Sequence, residues 1–135
     1  MFLKSYSKIN LTLSVNSKLK IGLHEIQSYY CLINLSDKIE IYKIKKNKDE
    51  FFFKGPFGKQ VNKYNNSIKK LLDLLRKLKL ISSYYSVNIV KNIPVCSGLG
   101  GGTSNAAFVL KFLLKKRITK NLLNKVEKRI GSDFK

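Results

Sequence analysis

Pro94-Val95-Cys96-Ser97-Gly98-Leu99-Gly100-Gly101-Gly102-Thr103-Ser104 joins a stretch of strand character, Tyr84 to Val90, to a helical stretch bearing Ala106, Ala107, Leu110, Leu113 and Leu114. Glycines at such a junction let the backbone approach a bulky anion with no Cβ in the way. The N–H groups that open the helix have no intrahelical acceptor, and the helix dipole favours negative charge beside them. Thr103 or Ser104 is expected to open the helix, where their hydroxyls can cap it or touch a phosphate or a phosphate-bound metal ion. Two better-known phosphate loops are excluded by spacing. No G-x-x-x-x-G-K-[ST] is present, and a dinucleotide G-x-G-x-x-G begun at Gly98 needs glycine where the chain has Thr103.

Upstream of the loop the hydrophobic period changes twice. Lys8 to Val15 alternates polar and apolar residues, the mark of a half-buried strand. Glu25 to Leu35 is rich in Ile, Tyr and Leu, Lys38 to Ile44 alternates again, and Asn34-Leu35-Ser36-Asp37 between them predicts an antiparallel hairpin or meander. Phe51-Phe52-Phe53 makes a further short strand. Ile68, Leu71, Leu72, Leu75 and Leu78 then follow a helical period, with Asn66 or Ser67 as the N-cap. Downstream, Thr119 is expected to cap a final helix bearing Leu122, Leu123, Val126 and Ile130, which ends at Gly131. Strands, a helix, a strand and two helices make an α+β fold rather than a regular βαβ array.

Length and composition bound what this fold can be. The 135 residues suit one domain, and 44% hydrophobic residues suffice for a core. No apolar run is long enough for a membrane span, and the N-terminus carries no secretory signal pattern. Cys31 and Cys96 stand far apart and outside any C-x-x-C pattern, which predicts reduced thiols in the cytoplasm. The formal net charge of +19 first suggests nucleic acid. Its texture argues otherwise, because Arg76, Arg117 and Arg129 are the only arginines, and phosphate or base recognition favours the arginine fork. Abundant Lys, Ile and Asn fit the codon usage of an AT-rich genome. Nucleic acid is therefore not the expected partner, and a basic RNA-binding module is kept as the alternative of a different class.

Ser7-Lys8-Ile9-Asn10-Leu11, Gly22-Leu23-His24-Glu25-Ile26-Gln27, the Pro94 to Ser104 loop and Gly131-Ser132-Asp133 occur in the order of four family motifs. These are A-K-I-N-L, G-Y-H-E-L-Q, P-x-x-x-G-L-G-G-G-S-S and G-A-D-V-P, and the chain resembles the GHMP small-molecule kinases on their strength. The G-L-H-E-I-Q segment is similar to the branch that phosphorylates a cytidyl-diphosphate methylerythritol in non-mevalonate isoprenoid synthesis. Homoserine or mevalonate kinases of the same family are the alternatives.

The resemblance implies a GHMP kinase N-terminal, ATP-binding domain over residues 1–135, similar to the second domain of ribosomal protein S5. A mostly antiparallel sheet with packed helices is implied, in a chain cut short of the family's C-terminal domain. ATP and Mg2+ are the implied cofactors, with a small-molecule substrate as partner and no membrane. By the resemblance Asp133 is the catalytic base and Lys8 the catalytic cation beside it. Asn10 and His24 would bind substrate, and Pro94, Ser97, Gly98, Leu99, Gly100, Gly101, Gly102, Thr103 and Ser104 would bind ATP. Lys8 and Asn10 share one face of an alternating strand, as two groups acting on one substrate must. Leu23 stands where the family has a tyrosine, Thr103 replaces a serine, and Val-Pro does not follow Asp133.

Overall fold

The computed structural model describes residues 2–18 and 24–131. Its centrepiece is β4 (Tyr30–Ile44), fifteen residues long. On one side β4 pairs antiparallel with β1 (Phe2–Asn10), and on the other with β6 (Tyr84–Val90). β5 (Glu50–Lys54) lies parallel to β6 at the edge, giving the order β1-β4-β6-β5. A separate antiparallel ribbon is formed by β2 (Ser14–Lys18) and β3 (His24–Gln27). Among the described residues there are three α-helices: α1 (Ser67–Lys77), α2 (Gly101–Leu114) and α3 (Lys120–Ile130).

The expected hairpin at Asn34–Asp37 does not form. Tyr6 pairs with Ser36 but Ser7 pairs with Ile33, so Asn34 and Leu35 form a bulge inside one continuous strand. Ser7 Oγ donates to Leu35 O at 2.8 Å and satisfies a carbonyl that the ladder leaves out. Residues of turn character here bend a strand instead of reversing it. The expected strand from Lys8 to Val15 is likewise broken, because β1 ends at Asn10 and β2 starts at Ser14. Leu11 N–H donates to Tyr29 O at 2.7 Å, and Thr12 Oγ1 accepts from Tyr29 N–H at 3.1 Å. These local bonds fix the corner at which the ribbon leaves the main sheet.

Period-two alternation places Ile39 and Ile41 of β4 and Val87 and Ile89 of β6 in the core. They meet Ile68, Leu71, Leu72 and Leu75 of α1, Ala106, Val109, Leu110 and Leu114 of α2, and Leu122 and Val126 of α3. Each buried aliphatic side chain contributes about 1.5–3 kcal/mol relative to exposure. α1 starts as expected, with Asn66 Oδ1 accepting from Lys69 N–H at 2.9 Å. α3 starts with Thr119 Oγ1 accepting from Leu122 N–H at 3.2 Å and stops at Gly131, also as expected. Among the described residues no helix is long and apolar enough to cross a membrane.

Candidate functional site

α2 begins earlier than the hydroxyl pair predicts. Its first residue is Gly101 and its N-cap is Gly100, in the left-handed region at φ +68°. Glycine is needed at both places for different reasons. Gly100 supplies a dihedral that costs other residues about 1–2 kcal/mol. At Gly101 a Cβ would stand 2.9 Å from Ile93 Cγ2 and 3.0 Å from Lys91 Nζ. Among the described residues no side chain caps α2. The N–H groups that open its first turn have no intrahelical acceptor, and the ladder begins with Ser104 N–H, which donates to Gly100 O at 2.8 Å.

The loop before α2 is held from both sides. Lys8 N–H donates to Leu99 O at 3.1 Å, so the edge strand β1 pins the loop through its backbone. The Lys8 side chain runs against Gly100, with Cγ and Cε 3.4 Å from the place of a Gly100 Cβ, and its Nζ lies 5.8 Å from the centre of the Tyr30 ring. Ser104 Oγ donates to Tyr6 O and accepts from Ser5 Oγ, each at 2.9 Å, tying α2 to β1.

Over this loop lies a cavity of about 450 Å³, within the range of small-ligand sites. Pro94, Ser97, Gly98, Gly100, Gly101, Gly102 and Thr103 line it, whereas Leu99 and Ser104 do not. Leu99 serves through its carbonyl as the anchor for Lys8. The opposite wall, Gln60 to Asn62 and Asn65 to Ile68, belongs to the turns before α1 and to its first residues, with Phe53 and Ile89 as apolar floor. Polar amides over an apolar floor, facing a helix N-terminus, suit a ligand with a flat ring at one end and an anion at the other.

Beneath the loop lies a charged cluster that sequence reasoning missed. Asp37 and Lys91 are the two buried charged residues among those described. Lys91 Nζ donates to Asp37 Oδ2 at 2.7 Å and to Ile93 O at 2.6 Å. Asn105 Nδ2 donates to the same Asp37 Oδ2 at 2.8 Å, which leaves the buried Asn105 Oδ1 without a partner among the described residues. Asp37 Oδ1 accepts from Asn92 N–H at 2.7 Å and Ile93 N–H at 2.9 Å. In the sequence Asp37 falls in the expected turn Asn34–Asp37, and the signal that could have found it is that it stands two residues before Ile39 and four before Ile41, in phase with the apolar face of the strand that follows.

Lys8 is thus brought to the glycine loop. Asn10, two residues further along β1, is exposed and has Tyr30 as its register partner. The backbone of His24 starts β3 opposite Lys18. Asp133 and Leu23 lie outside the described residues. Among the described residues no group of three or more His, Cys, Asp or Glu is placed to hold a metal ion.

Comparison with known proteins agrees with this architecture. The model of the GHMP kinases N terminal domain matches residues 66–134. The chain is 40% identical to a 4-diphosphocytidyl-2-C-methyl-D-erythritol kinase of Pelagibacter ubique, over 97% of this chain and 47% of that protein. It is 37% identical to the kinase of the same name from Ureaplasma parvum, over 99% of this chain and 51% of that protein. The chain therefore spans about half the length of the curated relatives it matches. A crystal structure of 4-(cytidine 5'-diphospho)-2C-methyl-D-erythritol kinase superimposes with a TM-score of 0.67 at 25% identity, over 99% of this chain and 47% of that one. A mevalonate kinase crystal structure, 18% identical with a TM-score of 0.60 over 96% of this chain and 47% of that one, shares the fold. An open helix N-terminus behind a glycine loop, an α+β sheet of this order and a family match over half its length together show that the chain belongs to the GHMP kinases and carries their N-terminal domain.

Proposed function

We propose that these residues form the ATP-binding half of a kinase that phosphorylates the 2-hydroxyl of 4-diphosphocytidyl-2-C-methyl-D-erythritol. The observation that carries this reading is the uncapped start of α2, facing a cavity and flanked by the Lys8 side chain. The similarity to relatives named as that kinase supports the substrate, and the half-length match supports an active enzyme that includes a second domain. Two free thiols and the relatives' names fit a cytoplasmic enzyme of isoprenoid synthesis.

In this reading the first-turn N–H groups of α2 hold the ATP phosphates, and the amide-rich wall from Asn62 to Asn66 borders the adenosine end. The substrate oxygen attacks the γ-phosphorus while the bond to the ADP oxygen breaks, and Asp133 accepts the hydroxyl proton. Lys8, set against the loop, neutralises charge on the transferring phosphoryl group. Asn10 and His24 orient the substrate. No carboxylate lines the described cavity, so the Thr103 hydroxyl is the fitting protein oxygen for a magnesium ion held mainly by phosphates. That ion would supply further neutralisation of phosphate charge.

The test is titration of the 135-residue chain with a fluorescent ATP analogue, alongside a steady-state assay with the cytidyl substrate and MgATP. Saturable nucleotide binding displaced by ATP, with little or no turnover by this chain alone, is the expected pair of results. Absence of nucleotide binding would sink the reading.

A further inference from the structure

We propose that Asp37 is a positioning residue that holds the phosphate cradle in its binding geometry through Lys91, Asn105 and the backbone before Pro94; this rests on the nucleotide reading above. Asp37 itself does not line the cavity, whereas Lys91 and Asn105 both do. Its carboxylate takes four donors from two elements that frame the loop: Asn92 N–H, Ile93 N–H and Lys91 Nζ at the exit of β6, and Asn105 Nδ2 in the second turn of α2. One group on β4 therefore fixes both ends of the loop.

Stability alone does not account for such a cluster. Apolar residues of similar volume in place of a buried ion pair are commonly neutral or stabilising. Moreover, the Lys91 ammonium lies 3.0 Å from the place of a Gly101 Cβ, at the positive end of α2, where a cation is disfavoured. The arrangement is costly in an empty protein. It becomes favourable when a polyanion arrives, because a fixed cation then stands beside the open N–H groups. Asp37 keeps that cation in place, and Gly101 leaves room for it.

Nucleotide titration and the amide NMR resonances of Gly100 to Ser104 without nucleotide test this on the 135-residue chain. Four variants are compared below their melting midpoints: Asp37→Asn, Asp37→Leu, Asp37→Leu with Lys91→Met, and Asp49→Asn. Asp49 is a control, bonded to Arg76 and Tyr85 away from the loop. Asp37→Asn is expected to weaken ATP binding about tenfold or more and to move the loop amides, while Asp49→Asn changes neither. The double variant, relieved of an unpaired buried lysine, should regain melting temperature over Asp37→Leu yet stay weak for nucleotide. Loop amides that do not move in Asp37→Asn, or binding that returns together with stability in the double variant, overturn the proposal. If the parent chain binds no nucleotide, the function reading fails, and the loop amides alone decide the role of Asp37.

Discussion

The Lys8 side chain packs against Gly100: the lysine backbone binds the loop at Leu99 O, and its Cγ and Cε lie 3.4 Å from where a Gly100 Cβ would stand. The edge strand and the glycine loop thus share one boundary, and a change on either side moves the other.

Gly98 and Gly100 separate strain from crowding. Both have positive φ, but a Cβ on Gly98 meets nothing within 4 Å. Gly98→Ala should cost about 1–2 kcal/mol from dihedral strain alone. Gly100→Ala should cost at least that and also displace Lys8. Denaturant midpoints give the first quantity and ATP titration the second, with the larger affinity loss expected at Gly100.

Gly101→Ala tests space without strain, since its neighbours at 2.9 and 3.0 Å are a packed isoleucine methyl and a buried ammonium. Alanine in a helix is better than glycine by about 0.8–1 kcal/mol, whereas overpacking costs about 1–3 kcal/mol. A net loss of melting temperature is expected. A gain would mean that the Ile93–Lys91 pair yields easily.

For the proposed transfer step, Lys8→Ala in an active full-length enzyme should lower kcat by about a hundredfold or more. The Michaelis constant for ATP should change far less, because the first-turn N–H groups of α2 remain. Equal losses in both constants would assign Lys8 to ground-state binding instead.

Away from the site, Asp49 joins Arg76 of α1 to the start of β6. Arg76 Nη2 donates to Asp49 Oδ2 at 2.6 Å, Tyr85 N–H donates to Oδ1 at 2.8 Å, and the guanidinium carbon sits 4.5 Å from the centre of the Tyr84 ring. Asp49→Ala removes the nearer of the two carboxylates paired with Arg76, the other being Asp73 at 3.5 Å, and leaves the Tyr85 N–H without its acceptor, so about 1–3 kcal/mol of stability should be lost. Chemical denaturation measures it, and ATP affinity should be unchanged.

α1 and α3 were legible because every signal for them falls within a dozen residues: the apolar period, the Asn66 and Thr119 caps, and the Gly131 stop. The glycine loop was legible for the same reason. Local signals failed where distant partners decide. Asn34-Leu35 has the composition of a turn, but the β1 ladder runs past it and the Ser7 hydroxyl satisfies the bulge, so the strand continues. Nothing within a few residues of Lys91 marks it as buried, and Asp37, far back in the chain, is the partner that makes it so. Ser104 had the position of a helix cap or phosphate donor, yet β1 claims its hydroxyl.

The bulge also sets a reading frame for β4. It holds two extra residues, an even number, so inward and outward positions stay in phase on both sides of it. Loss or gain of a single residue there would turn Lys38 and Glu40 toward the helices and expel Asp37 together with Ile39 and Ile41. Length changes at this point should therefore be tolerated in pairs and not singly, although the segment itself has the composition of a permissive loop.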